Sequence, residues 1–179
     1  IFRNGMAAPD APLSLAWFAD TGNNAQWMRA IRNSFFIGIC ATLLSTALGT
    51  LAAIGLSRSE MPYRRLIMSI LISPMLVPLV ITAAGTFFFY SKIQLSQTYL
   101  GVIMAHAILG TPFVIITVTA TLVGFDKSLV RAANSLGAGP IQTFFKIQMP
   151  LIIPGVISGG LFAFITSFDE VVAVLFLAS

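Results

Sequence analysis

The sequence predicts an all-α protein, a polytopic transmembrane helical bundle, and two observations lead there: its composition and the distribution of its charges. Of 179 residues, 57% are hydrophobic and only 9% are charged, whereas soluble domains carry about 25% charged residues. So few polar side chains could not cover the surface of a soluble domain of this size. The single cysteine, Cys40, excludes a disulfide framework within the chain. The ten Lys and Arg residues are dispersed, which argues against a nucleic-acid-binding protein.

Four segments without Asp, Glu, Lys or Arg are each long enough to cross a bilayer. They hold 25, 26, 33 and 22 residues and cover 33–57, 66–91, 93–125 and 147–168. A membrane-spanning helix needs about 20 mainly apolar residues, and one ionised side chain at the bilayer centre costs at least about 2.5 kcal/mol. The segments are too long, and alternate too little, for strands of a membrane β-barrel. We therefore predict spanning helices near 33–57, 66–90, 99–123 and 150–168.

The two ends of the chain carry weaker signals. Residues 1–30 contain no apolar stretch typical of a signal peptide, and we predict that 1–32 form a periplasmic segment. The chain begins with Ile1 rather than an initiator methionine, and Val171 to Leu177 begin a new apolar element. We therefore expect a single transmembrane domain, 1–179, that is truncated at both ends.

Small residues recur at intervals of four along the first and the last predicted helices. Their positions are Ala41, Ser45, Gly49 and Ala53 in the first and Gly155, Gly159 and Ala163 in the last. Membrane helices gain little by burying apolar side chains against one another, so close approach at small residues favours their association. We predict that both faces are packed inside the bundle.

Prolines and one histidine interrupt the apolar pattern. Pro74 and Pro78 lie in the second predicted helix and Pro112 in the third. Each removes a backbone donor and is expected to bend its helix; such bends suit a cavity or a moving gate, but static bundles contain them too. His106, the only histidine, lies in the third helix, where we expect it to hydrogen-bond a neighbouring helix.

The Lys and Arg residues outside the predicted helices favour one orientation by six to four. Loops 58–65 and 124–149 carry three each, and the opposite side carries Arg3, Arg29, Arg32 and Lys92. Because cytoplasmic loops are enriched in Lys and Arg, both loops are predicted to lie in the cytoplasm.

Residues 124–149 form the longest connection on that side, and their pattern predicts two short amphipathic helices joined by a glycine turn. Asp126 or Ser128 can cap the first helix, and Gly137 stands where helices commonly end in a left-handed residue. Pro140 suits the first turn of the second helix, and Pro150 is expected to close it. Such an element could dock a partner or rest on lipid, and periodicity alone does not choose between the two.

The residues of this loop resemble a known motif. The stretch RAANSLG at 131–137, followed after nine residues by IQMP at 147–150, resembles the EAA loop of inner-membrane permease subunits of binding-protein-dependent ABC importers. That loop has the pattern E-A-A, three residues, G, nine residues, I-x-L-P. Arg131 replaces its glutamate and Met149 its leucine, while the residues that match are Ala132, Ala133, Gly137, Ile147 and Pro150.

The resemblance implies a permease subunit of an importer, not an enzyme, with no cofactor and no metal. Its loop would be the coupling helix that a cytoplasmic ABC ATPase subunit holds, through Arg131, Ala132, Ala133, Gly137, Ile147 and Pro150. The chain lacks a G-x-x-x-x-G-K-[ST] phosphate loop, so the ATPase is expected to be a separate polypeptide. The resemblance also implies a second permease subunit, a periplasmic solute-binding protein and the lipid of the bacterial inner membrane as partners, and no nucleic acid.

A second stretch bears on the substrate. SFDEVV at 167–172 resembles spermidine/putrescine-type permeases and their relatives, as does GFD at 124–126. The adjacent carboxylates of Asp169 and Glu170 would suit a polyamine, because amines donate hydrogen bonds to carboxylate oxygens. Alternatively, the acidic pair is simply solvated where the last helix leaves the membrane.

A secondary transporter is the alternative from another class. It would normally need ionisable residues inside its spans and inverted repeats. The four predicted helices contain no charged residue, and the sequence has no evident repeat. The sequence therefore favours an importer that is driven by a separate ATPase.

Overall fold

A computed structural model of the chain describes residues 25–57, 61–124, 126 and 128–178, and all regular structure within them is helical. Its elements are α1 (Ala25–Leu56), α2 (Arg64–Leu76), α3 (Leu79–Lys92), α4 (Tyr99–Val123), α5 (Ser128–Ser135), α6 (Pro140–Thr143), a π-helical turn (Phe144–Gln148), α7 (Met149–Asp169) and α8 (Val172–Ala178). The predicted all-α class is confirmed.

The chain divides into two compact units, residues 1–34 and 35–179. In the first unit the structure describes residues 25–34, which are helical. The rest of the predicted periplasmic segment 1–32 lies outside the described residues. The second unit holds the rest of α1 and all later elements.

Three long helices, α1, α4 and α7, form its core. Ala53 of α1, Val114 and Val118 of α4, and Ile152 and Ala163 of α7 make one fully buried cluster. Matched contacts fix the directions of the helices: Ser45 and Gly49 lie against Gly110 and Val114, while Gly110 also lies against Ala163 and Gly159 against Val114. Helix α1 therefore runs parallel to α4, and α7 runs antiparallel to both.

The small-residue stripes predicted in the first and last helices are confirmed as packing faces. All seven of their members are buried. A Cβ atom added at Gly49 would lie 2.6 Å from the Cβ of Val114, and one added at Gly159 would lie 2.8 Å from the Cα of Val114. The three backbones therefore approach each other as closely as small residues allow.

The outward surfaces of α1, α3 and α7 carry large apolar side chains. Leu43, Leu51, Phe88 and Ile165 are each at least 60% exposed, which suits contact with lipid and not with water. Ala25–Leu56, Tyr99–Val123 and Pro140–Asp169 are each long and apolar enough to cross a membrane, and α2 with α3 would make a fourth span if the bent pair is counted as one.

The second predicted helix, near 66–90, is not continuous. Helices α2 and α3 meet at an angle of 101°, because Pro78 forces Val77 into an extended conformation (φ −82°, ψ 134°) and has no N–H to continue the helix. Pro74, by contrast, lies inside α2. The Ile70 carbonyl that Pro74 leaves without a donor accepts a hydrogen bond from the Ser73 hydroxyl at 2.7 Å.

Candidate functional site

The loop between α4 and α7 begins with a capped helix, α5. The Asp126 carboxylate accepts hydrogen bonds from the backbone N–H of Ser128 at 2.8 Å and from its hydroxyl at 2.6 Å. These bonds, and more weakly the charge of Arg131, hold the pKa of Asp126 below its ordinary value. The contribution of the cap is therefore complete above the ordinary carboxyl pKa and is lost as the pH falls through the lowered value.

Helix α5 ends at Ser135 and is followed by a turn at Gly137 that two hydrogen bonds close. The N–H of Gly137 donates to the carbonyl of Asn134 and the N–H of Ala138 donates to that of Ala133, both at 3.0 Å. This is the Schellman pattern, which needs a left-handed residue, and Gly137 has φ +85°. The glycine turn that the sequence predicts is therefore present, with Gly137 as its hinge.

The sequence predicts that the second helix of the loop ends at Pro150. In the structure it instead continues into α7. Pro140 occupies the first turn of α6, and one helical run then extends from Pro140 to Asp169. A proline ring would clash with the carbonyl four residues earlier in an α-helix. Just before Pro150 the backbone widens into the π turn, in which the Met149 N–H donates to the Phe144 carbonyl. Loop and spanning helix are thus one element.

The loop has two different faces. One lies toward the end of α1 and bounds a cavity of about 420 Å³ that Leu51, Ile54, Val130 and Phe145 help to line. The other, which we call the coupling groove, has a volume of about 600 Å³ and is lined by Leu129, Ala132, Ala133, Leu136, Gly137, Ala138, Gln142, Thr143, Lys146 and Ile147. The two walls of the groove are joined where the buried Thr143 hydroxyl donates to the Asn134 side-chain oxygen at 3.4 Å.

The coupling groove brings together four of the six residues that the resemblance singles out. Ala132, Ala133, Gly137 and Ile147 all line it. Arg131 is exposed on α5 outside the groove, and Pro150 is exposed in the first turn of α7.

Two exposed polar residues of the groove, Gln142 and Lys146, were not among the six positions that the resemblance singles out. They are spaced by four, so one helical face carries both, and the π turn keeps Lys146 beside Ile147 on the groove wall. The spacing was a usable signal, but the apolar residues between them dominate the pattern of this segment.

The acidic pair lies at the opposite end of α7 from the loop. Asp169 is exposed as the last residue of that helix. Glu170 is 9% exposed, and its Oε1 accepts a hydrogen bond from the N–H of Ala173 at 2.8 Å, which caps α8. Sequence reasoning treated the two carboxylates alike, whereas the structure gives them different surroundings.

His106 joins α4 to α7 near the same end. Its Nδ1 is 2.7 Å from the Ser167 hydroxyl, and its ring is 2% exposed. The predicted hydrogen bond to a neighbouring helix is confirmed. Among the described side chains, no three of His, Cys, Asp and Glu come together in a group able to hold a metal ion.

Comparisons with known proteins agree with this architecture. A family model described as "Binding-protein-dependent transport system inner membrane component" matches residues 45–179. This range contains the whole loop with its groove, and also Asp169 and Glu170 at the far end of α7.

Curated relatives cover most of the chain. PotC, a spermidine/putrescine transport system permease protein of Haemophilus influenzae, is 30% identical over 162 residues, which are 90% of this chain and 63% of the relative. The putrescine permease protein PotI of Escherichia coli is 29% identical over 92% of this chain and 61% of its own length. SmoH of Agrobacterium fabrum, a sulfoquinovosyl glycerol transport system permease protein, is 28% identical over 87% of this chain and 58% of its own length. The chain thus spans about three fifths of these relatives.

Proposed function

The chain belongs to the family of binding-protein-dependent transport system inner membrane components, and from this premise we propose that it is a permease subunit of an ATP-driven importer. The family is one of transport permeases of the inner membrane, and the apolar helices fit a multi-pass protein. The partners we propose are two cytoplasmic ABC ATPase subunits, a second permease subunit and a periplasmic solute-binding protein that delivers a small solute.

The observation that carries the proposal is the continuity of the loop with a spanning helix. From Pro140 to Asp169 the backbone is one helical run, and the Gly137 turn fixes α5 against the beginning of that run. A force applied to α5 by an ATPase would therefore reach α7 without passing through a flexible linker. We propose that closure of the two ATPases tilts the bundle through this element. The tilt would open the substrate cavity between the two permease subunits to the periplasmic side.

The proposed coupling residues have separate parts in this element. Gly137 forms the turn, and the exposed Ala132 lets a partner approach closely. The buried Ala133 supports the turn, since its carbonyl accepts the Ala138 N–H, and Ile147 supplies apolar surface in the groove. Pro150 favours the π turn that joins the loop to α7. Arg131 offers an exposed cation on α5, so an ATPase that contacts this position would meet a positive charge where the family motif has a negative one.

The sidedness of the loop tests the proposal. In a Cys40→Ser background of the full-length protein, expressed without the ATPase subunit, we expect Leu136→Cys to react with a membrane-impermeant maleimide in inside-out vesicles and not in intact cells, because Leu136 is 88% exposed on the loop. Ile93→Cys, which is 51% exposed between α3 and α4, is the matched control and should react in intact cells. Labelling of Leu136→Cys from outside would refute the coupling role.

For the substrate, we propose a polyamine or a related small solute. PotC and PotI are polyamine permeases by name, at 29–30% identity, while SmoH carries the name of a different solute at 28%. Asp169 and Glu170 stay the proposed residues of the substrate path. The exposed Asp169 is the more accessible of the two, since one oxygen of Glu170 is engaged in the cap of α8.

We expect Asp169→Asn to raise the apparent KM for spermidine uptake by about tenfold, since losing a hydrogen bond to a charged group costs about 1.5–3 kcal/mol. Glu170→Gln keeps an oxygen that can cap α8 and serves as the isosteric comparison, whereas Glu170→Ala should lower the thermal stability of the purified protein. Uptake assays and thermal unfolding measure the two effects. If Asp169→Asn and Glu170→Gln both transport spermidine with unchanged KM, the pair lies outside the substrate path.

A further inference from the structure

The coupling groove is the side of the loop that has no residue of α1 in its lining. The opposite face lies toward Leu51 and Ile54 at the end of α1, and the exposed aromatic residue of the loop, Phe145, lines that side. Phe145 thus gives the α1 side the apolar, aromatic character suited to the membrane interface. The groove side has a volume of about 600 Å³.

The residues that line the groove indicate which side chains a partner needs in order to bind there. Leu129, Leu136 and Ile147 give it apolar walls, and Leu136 is 88% exposed. Among the described residues that line the groove, Lys146 alone carries a charge. An occupant that covers this surface needs apolar side chains and, beside them, a carboxylate to pair with the ammonium group.

No acidic residue of the loop itself can serve that purpose within the groove. Asp126 is the only Asp or Glu between 124 and 149, and it is not part of the groove lining. Its two oxygens hold Ser128, and its charge acts on Arg131. A carboxylate that pairs with Lys146 inside the groove would therefore have to come from outside the loop.

We propose that a carboxylate of the ATPase subunit enters the coupling groove and pairs with Lys146, so that Lys146 selects the ATPase partner. This inference rests on the proposed function, because it names the chemistry of the surface that receives the loop. It assigns a partner-specificity role to a residue outside the six positions that the motif resemblance singles out.

Charge reversal tests the pair. With the full-length permease in lipid nanodiscs, we expect Lys146→Glu to weaken ATPase binding by at least about tenfold, since truncating one partner of a buried charge pair commonly costs more than that. Lys146→Arg should bind within about threefold of the unchanged protein, because it keeps the charge. Lys92→Glu, at the end of α3 and outside the groove, is the control. Replacing the Asp or Glu of the ATPase that pairs with Lys146 by Lys should restore binding to the Lys146→Glu permease.

A zero-length carbodiimide crosslink provides a second readout. It joins an amine to a carboxylate in contact, so the wild-type complex should yield a permease–ATPase adduct through Lys146. Lys146→Arg should lose the adduct while keeping its affinity, because a guanidinium does not form this amide.

The outcomes separate the two proposals. If Lys146→Glu binds the ATPase normally while Leu136→Asp abolishes binding, the ATPase uses the loop but not this pair, and the inference is overturned. If Lys146→Glu instead loses affinity only for anionic lipid vesicles, the groove rests on lipid and the inference again fails. If neither Lys146→Glu nor Leu136→Asp affects ATPase binding, the coupling role of the loop fails with it.

Discussion

Replacing Gly137 with valine is expected to reduce ATP-driven uptake by about tenfold or more, because it disrupts the turn that fixes α5 against the run from Pro140 to Asp169. The obstacle is conformational and not steric: no atom lies within 4 Å of a Cβ added at Gly137, but its φ is +85°. A β-branched residue there costs about 1–3 kcal/mol, and about 1.4 kcal/mol corresponds to a factor of ten in an equilibrium. Uptake and ATPase co-purification from full-length protein measure the effect.

Two matched variants isolate this cause. Gly137→Asn should retain most of the uptake, because asparagine tolerates the left-handed region better than other residues. Gly139→Ala should behave like the unchanged protein, since Gly139 has φ −69° and also has no neighbour within 4 Å of an added Cβ. If Gly137→Val were as active as Gly139→Ala, with similar amounts in the membrane, the turn would not transmit force and the coupling role would be refuted.

The elements that the sequence predicts best are those in which local and tertiary preferences agree. The predicted helix 99–123 has the bounds Tyr99–Val123 in the structure, because its apolar segment is continuous and its Thr98 side chain accepts the Gly101 N–H at the start. Pro112 lies inside the helix without ending it. The Gly137 turn is equally readable, since a glycine after an amphipathic helix has one common conformation.

Other features depend on how elements meet, which the sequence alone does not contain. Pro78 predicts a bend, but its size, 101° between α2 and α3, is seen only in the structure. In the sequence Pro150 predicts the end of a helix. The π turn just before it allows the helix to continue from the loop into α7. The coupling groove exists because α5 folds back on the segment after Gly139, so Lys146 becomes a site residue through tertiary structure.

The acidic pair shows the same limit at the other end of α7. The sequence places Asp169 and Glu170 side by side, and nothing local distinguishes them. The bend between α7 and α8 turns one carboxylate back to cap α8 while the other stays exposed. Glu170 therefore has a structural role in capping α8, whereas Asp169 is accessible.

Gly159→Ala is expected to lower the thermal stability of the purified protein by several degrees, because the backbones of α4 and α7 approach each other closely at this position. The added Cβ would lie 2.8 Å from the Cα of Val114 and against the Thr117 hydroxyl. A backbone atom cannot move aside as a flexible side chain can, so the helices must separate. Overpacking of this kind costs about 1–3 kcal/mol, which is about 2–4 °C of Tm per kcal/mol for a chain of this size.

Gly85→Ala makes the same chemical change in α3, where a Cβ meets nothing within 4 Å. It should leave Tm unchanged or raise it slightly, since alanine is favoured over glycine inside a helix by about 0.5–1 kcal/mol. Thermal unfolding of both variants in one detergent compares them directly. Equal Tm values would mean that α4 and α7 do not approach at Gly159, and the antiparallel packing that carries force from the loop to the far end of the bundle would then be wrong.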